Sequence, residues 1–175
     1  AGKTWEEERA LLHVEVEGQV LGDFPFALNE VVIHKRDTAS MVVVDVHREG
    51  TFVNTYWADG LLVSTPTGST AYSLSAGGPI VLPGSDVVIV TPVAPHNLND
   101  RPLVVPLDGE ITLVAGGRDA SFLLSMDSRS FPLEAGQEVR LKPAGFRIKL
   151  INLEHQDFFS TVRQKMHWGL DPRER

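Results

Sequence analysis

Along this chain, apolar residues gather in short runs that alternate with polar ones or fill with β-branched side chains. Turn-forming residues cut these runs at close intervals. Residues 11–16 alternate and stop at Gly18, which predicts a strand and a turn, and residues 24–35 predict a second strand. Residues 41–46, MVVVDV, form a dense β-branched run that ends at His47, Arg48, Glu49 and Gly50, a hairpin signal. Residues 51–57 are aromatic and β-branched, and an Asp59-Gly60 turn separates them from a short strand at 61–64. Residues 86–90, 103–105, 110–114, 121–125, 138–141 and 147–153 continue the β pattern, with a turn at Gly136-Gln137. Residues 91–106 read as a loop apart from the strand at 103–105, because Pro92, Pro95, Pro102 and Pro106 punctuate them.

Two segments differ in texture. Pro66, Gly68, Gly77, Gly78, Pro79, Pro83 and Gly84 punctuate a stretch of small and hydroxyl side chains, within which residues 69–76 predict a short helix with Ser69 as N-cap. Near the carboxy terminus Asp157 predicts the cap of a helix running to Met166. Phe158, Phe159, Val162 and Met166 fall on one side of it, with Trp168 at its end and a frayed tail over 171–175. About ten short strands and two helices that do not alternate with them argue against a doubly wound parallel sheet. The expected fold is all-β: a two-sheet, sandwich-like domain with a short central helix and a C-terminal helix.

The 175 residues are one-domain size and long enough to bury a core without staples. There is no cysteine, which removes disulfides, thiolate metal sites and a thiol nucleophile. No stretch approaches the roughly 18 apolar residues of a membrane span, and no charged-then-apolar leader opens the sequence, so a soluble cytoplasmic protein is the expectation. The formal net charge of −7 argues against binding a long nucleic acid. Basic residues concentrate late in the chain, at Arg140, Lys142, Arg147, Lys149, Arg163, Lys165, Arg173 and Arg175. They read either as solvated faces or as a rim that favours an anionic ligand.

The segment DGLLVSTPTGSTAYSLSAGGP, residues 59–79, carries most of the candidate chemistry. Ser64, Thr65, Thr67, Ser69 and Thr70 crowd hydroxyls into seven positions, and Gly68 allows backbone to approach a ligand closely. The following helix start adds free N–H groups. The loop lacks the Lys-Ser or Lys-Thr ending of a Walker loop, and the GxGxxG fingerprint is missing. Asn29 and Glu30 interrupt the apolar run FALNEVVI. They read either as a strand end with Glu30 in solvent or as a pair that holds ribose hydroxyls. The histidines show no metal-ligand spacing, no serine sits in GxSxG, and Asp45, Asp59 and Asp127 are scattered carboxylates.

Residues 59–79 resemble the long signature of NAD kinases at nearly every position, and three further pieces agree in order: FALNEVVIHK (26–35), TPVAPHNLNDRPLVVP (91–106) and DFFSTVRQKMHWG (157–169). EEERALLHVEV resembles the entry into the family's second domain, and the resemblance covers about nine tenths of the chain. It implies that Asn29 and Glu30 hold the adenosine part of NAD. It places Asp59 beside the nicotinamide end, in some members across a subunit contact. Thr70, Ala71, Tyr72 and Ser75 match adenine-side and neighbouring contacts, Thr67 a polar wall position, and Ala94 a loop approaching the cofactor. Two positions depart from the family pattern. Arg129 follows Asp127-Ser128 where a Gln often stands, and meets a phosphate or ribose or points to solvent; Trp57 replaces a charged or polar residue.

The family's Gly-Gly-Asp-Gly motif, which supplies its catalytic aspartate and much of the nucleotide-phosphate site, does not occur here. The resemblance therefore implies that residues 1–175 are the NAD-binding carboxy-terminal domain, without the amino-terminal α/β domain and without a catalytic residue. The activity it implies is phosphorylation of NAD to NADP from ATP or polyphosphate, with Mg²⁺ or another divalent cation, in a homo-oligomer. A related lipid or diacylglycerol kinase second domain, and a non-enzymatic β interaction module, are the alternatives.

Overall fold

A computed structural model describes residues 4–36, 41–117, 121–153 and 157–168. Among the described residues there are twelve strands: β1 (Thr4–Val16), β2 (Phe26–Ala27), β3 (Glu30–Lys35), β4 (Val42–Arg48), β5 (Thr51–Ala58), β6 (Gly60–Ser64), β7 (Val87–Val93), β8 (Leu103–Pro106), β9 (Ile111–Gly116), β10 (Ser121–Met126), β11 (Arg129–Glu134) and β12 (Glu138–Leu153). They form two six-stranded sheets, in the orders β2-β1-β12-β9-β4-β5 and β11-β10-β3-β6-β7-β8, and every pairing is antiparallel. The all-β, two-sheet expectation is met.

The core lies between the sheets. Leu12, Val14, Val42, Val44, Val46, Leu113, Ala115, Val139 and Leu141 of the first sheet join one buried cluster with Val31, Ile33, Leu61, Val63, Val88, Val90, Phe122, Leu124 and Met126 of the second. Strand period two sets what remains outside. β4 alternates buried and half-buried residues, as a strand with one wetted face does. β6 is buried at all five positions, because residues 65–82 lie over the outer face of its sheet. That covered outer face carries the candidate site.

Several expected boundaries differ. The single strand expected over 24–35 is two, β2 and β3 in opposite sheets, with the break at Leu28-Asn29. The Asp127 carboxylate causes it by accepting the backbone N–H groups of Leu28 (2.8 Å), Asn29 (2.8 Å) and Glu30 (3.2 Å), which turns the chain. The Asp59 turn is a corner where the chain leaves one sheet for the other, not a hairpin. β7 extends through Pro92, which was expected in a loop. β8 pairs only with Val87–Val90, so at Pro92 one edge of the strand is free and the missing N–H removes no ladder bond.

The two late strands expected at 138–141 and 147–153 are one long β12, paired with β1 through a register shift between Ala10 and Leu12. β1 itself begins at Thr4, in residues whose charge hid a strand. β11 was not expected; it is an edge strand, which tolerates Arg129, Ser130 and Pro132.

The central helix is a 3-10 turn over Gly68–Thr70 followed by a four-residue α1 (Tyr72–Ser75). Ser69 is not its N-cap. Its hydroxyl donates to the Pro66 carbonyl (2.7 Å) and accepts from the Val81 N–H (3.0 Å), tying the loop to itself. The terminal helix α2 (Phe158–Met166) is capped as expected by Asp157, which accepts from the Ser160 N–H at 2.8 Å. Val162 is buried, but Phe159 is 59% exposed, so the expected apolar stripe is partly open. The tail expected to fray over 171–175 lies outside the described residues. No helix among the described residues is long and apolar enough to cross a membrane.

Candidate functional site

β3 and β6 pair in the register Glu30↔Ser64 through His34↔Gly60. Val31, Ile33, Leu61 and Val63 point into the core, so Glu30, Val32, His34, Leu62 and Ser64 share the outer face. The 65–82 segment covers that face through specific bonds. The Thr65 hydroxyl donates to the Leu28 carbonyl at 2.6 Å and accepts from the Gly68 N–H at 3.2 Å, while the Thr65 N–H reaches the Asn29 carbonyl at 2.9 Å. Gly68 packs so tightly that a Cβ there would overlap the Asn29 carbonyl. Its missing side chain thus serves contact with the Asn29 backbone, not the ligand approach expected. Ser73 shares its hydroxyl with Thr91 at 3.3 Å, which anchors α1 to β7.

Three of the five crowded hydroxyls are therefore turned inward or buried: Thr65 and Ser69 by their bonds, Ser64 by its place on β6. Thr67 and Thr70 face outward. The Thr67 hydroxyl lies 3.5 Å from the Arg9 guanidinium of β1, and exposed Thr70 leans on the Thr67 carbonyl at 3.4 Å. Ala71 joins the 3-10 turn to α1, and Tyr72 and Ser75 are exposed on that helix.

Glu30 opens β3 beside the Asp127 carboxylate, and one of its oxygens, Oε2, is buried without a hydrogen-bond partner. Burial pushes the Glu30 carboxyl above its ordinary range, the nearby Asp127 charge adds to the rise, and the Tyr72 backbone N–H opposes it. Four residues along the same strand face, His34 stacks on the Tyr72 ring, with centroids 5.9 Å apart and planes at 18°. Burial holds the His34 imidazole below its ordinary value, which favours its neutral form in the stack.

Asp59 sits at the other end of the β3–β6 pair. Its carboxylate is 2.6 Å from Lys35 Nζ, its N–H donates to the Val93 carbonyl at 2.9 Å, and its carbonyl accepts from the Lys35 N–H at 3.3 Å. Ala94 follows Val93 with a positive φ of 46°, and the His96 N–H bonds the Trp57 carbonyl at 2.8 Å. Trp57, Asp59, Ala94 and His96 thus form one end of the site. Asn29, Glu30, Asp127 and Tyr72 form the other. Arg129 belongs to neither: its guanidinium donates to the Phe24 and Phe26 carbonyls and lies 5.7 Å over the Phe24 ring, where it holds the β2 approach.

Asp127 was read in the sequence as one scattered carboxylate among three, and its three-donor grip is a long-range contact that no local pattern discloses. His34 and Lys35, which contact the candidate residues Tyr72 and Asp59, were not singled out in the sequence; the only trace was their place on the strand that starts at Glu30. Of the late basic residues read as a possible anion rim, four are ion-paired. Arg140 pairs with Glu138, Lys142 with Glu15 and Glu110, Arg147 with Asp86, and Lys149 with Glu6. Arg173 and Arg175 lie outside the described residues. Among the described residues no group of three or more His, Asp or Glu side chains gathers as a metal-ligand set.

Known proteins similar to this chain are NAD and NADH kinases. A family model described as the ATP-NAD kinase C-terminal domain matches residues 28–153. The NAD kinase of Cytophaga hutchinsonii is 46% identical over 166 residues, covering 95% of this chain and 57% of that protein. That of Flavobacterium johnsoniae is 44% identical over 168 residues, with the same coverage. Yeast NADH kinase, solved in complex with NADH, superimposes with a TM-score of 0.84 at 27% identity over 97% of this chain and 50% of that one. An NAD kinase from Archaeoglobus fulgidus, solved in complex with ATP, gives 0.76 at 27% identity over 90% and 60%. The chain spans about 57% of the length of these curated relatives.

Proposed function

The chain belongs to the NAD kinase family, as its C-terminal domain, and from that premise we propose that it binds NAD on the covered outer face of the second sheet. In this reading it supplies the acceptor half of a site that moves a phosphoryl group from ATP, or polyphosphate, to the 2′-hydroxyl of the adenosine ribose. The observation that carries the proposal is the Glu30 carboxylate: an oxygen buried without a partner, at a strand end held by Asp127, under the helix that bears Tyr72. A buried acceptor left unsatisfied costs about 1–3 kcal/mol, and a ribose hydroxyl is a donor of matching chemistry.

Asn29 sits beside Glu30 and offers an amide that donates and accepts. Tyr72, backed by His34, presents a ring face to the adenine side. Thr67, Thr70, Ala71 and Ser75 border the same opening. Asp59 and Ala94 line the nicotinamide end, within one protomer or across a contact in a homo-oligomer. Arg129, engaged by two carbonyls, supports the Phe24–Phe26 approach more than it reaches the ligand.

Phosphoryl transfer needs donor phosphates held in line and their charge neutralised, normally with Mg²⁺. In this reading the cation is held with the nucleotide phosphates, as Mg²⁺ usually is, and no step on this chain is routed through it. This chain's part is to bind and orient the acceptor hydroxyl. A related lipid kinase domain would instead bind a glycerol-type head group, and an interaction module would bind neither. Titrating the chain with NAD and, separately, with soluble glycerol phosphate separates the readings. Binding of NAD alone is expected; glycerol phosphate binding without NAD binding would overturn the proposal.

A further inference from the structure

The ribose end of the proposed site gathers two carboxyl groups, Glu30 and Asp127, where phosphorylation of the ribose would add a phosphate. A phosphorylated hydroxyl carries a charge of about −1.5 to −2 at about pH 7. Like charges side by side cost free energy, and a cation among them offsets it. Lys35 and Arg129 are spent elsewhere, on the Asp59 carboxylate and on the Phe24 and Phe26 carbonyls. Arg9 of β1 is placed differently. Its Nη1 lies 3.5 Å from the Thr67 hydroxyl. Thr67 precedes Gly68, which packs on the Asn29 carbonyl, and Asn29 precedes Glu30. Arg9 thus approaches the ribose end from a strand of the other sheet.

The guanidinium is held in place and keeps donors in reserve. Nη2 donates to Glu7 Oε2 at 2.6 Å, and the Asn152 amide donates to the same oxygen at 3.0 Å, so a bonded carboxylate orients the planar group. Nε is buried without a partner, and the contact of Nη1 with Thr67 is long. Arg9 and Glu7 line a cleft of about 230 Å³ with Trp5, Asn152 and Phe158, so the pair is open to solvent on one side. A planar fork of N–H donors matches the oxygens of a phosphate.

Resting on the reading of Asn29 and Glu30 as the ribose contacts, we propose that Arg9 binds the phosphate on the ribose 2′-oxygen of NADP. The Thr67 hydroxyl is the neighbouring donor. Arg9 is then the residue by which this domain distinguishes the phosphorylated dinucleotide from NAD, whose free 2′-hydroxyl offers a guanidinium no charge. Glu7 shares the guanidinium and so limits how tightly the phosphate is held.

The test is the ratio of NADP to NAD affinity, with each dinucleotide titrated separately into the chain and its variants. Arg9→Met is expected to weaken NADP binding about tenfold to a hundredfold and NAD binding by less than about threefold. Arg9→Lys keeps the charge but loses the planar fork, and its ratio should fall between the two. Glu7→Gln keeps an acceptor for Nη2 and removes the opposing charge, so it is expected to raise NADP affinity relative to NAD. Should Arg9→Met fail to fold, the Glu7→Gln ratio carries the test. Equal weakening of both dinucleotides by Arg9→Met would overturn the proposal, since Arg9 would then support Thr67 or meet a group that the two ligands share. An unchanged ratio in Glu7→Gln would overturn it as well, as would a wild-type chain that binds NAD and not NADP. A folded wild-type chain that binds neither would overturn the ribose site itself, and the role of Arg9 with it.

Discussion

Glu30 is placed where a carboxylate is poorly solvated, beside a second carboxylate, and the fold bears a cost for that. Its folded-state pKa is raised, so the folded chain holds a proton more tightly than the unfolded one. Stability from this group is full below the unfolded value of 4.5 and is lost as pH rises from there through the raised folded value. Glu30→Gln is therefore expected to raise the thermal midpoint at about pH 7, even as it weakens NAD binding. The gain should disappear on acidification below the unfolded value. Scanning calorimetry across that range checks the sign; a lower midpoint at neutral pH would mean that the charge is stabilised in the fold. The sequence showed Asn29-Glu30 as an anomaly in an apolar run, and this much was legible. What produces the anomaly is Asp127, 97 positions away for Glu30, whose grip on three N–H groups is a tertiary fact without local trace.

At the scale of elements, the site depends on the seam between the 65–70 loop and the start of β3. Thr65 bonds Leu28 and Asn29, and Gly68 presses on the Asn29 carbonyl with no room for a Cβ. Gly68 does not have a positive φ, so its requirement is space and not backbone freedom. Gly68→Ala is expected to destabilise the fold by about 1–3 kcal/mol and to weaken NAD binding by displacing Asn29. Urea unfolding and calorimetry measure the two effects, and an alanine variant with unchanged stability would show that the seam opens freely. The strands of the first sheet were legible because one wetted face leaves an alternating pattern, as in β4. β6 reads as a continuous apolar run because the loop covers it, and β11, at the edge of the same sheet, lacks any pattern because edge strands tolerate polar residues and proline. The long β1–β12 pair was obscured by charge: Lys149 with Glu6 and Lys142 with Glu15 are cross-strand ion pairs, written in the sequence as scattered polar residues.

For the whole molecule, two antiparallel sheets carry the proposed acceptor site on an outer face, and the chain spans about 57% of its curated relatives' length. Among the described residues no three His, Asp or Glu side chains gather as a ligand set. Asp45 is bound to Thr55 at 2.5 Å in the other sheet, Asp59 is paired with Lys35, and Asp127 is consumed in the β3 turn. The 175-residue chain is therefore expected to bind NAD without producing NADP from ATP and Mg²⁺. A coupled NADP assay, run beside a complete NAD kinase, checks this; clear turnover by the chain would identify a base among its own carboxylates. The more direct measurement is a calorimetric titration of NAD into the wild-type chain and into Glu30→Gln at neutral pH. Saturable binding by the wild type and a roughly tenfold to hundredfold loss in the variant are the predicted results. Equal affinity in the two chains, or no NAD binding by the folded wild type, would contradict the assignment of the outer face as the NAD site.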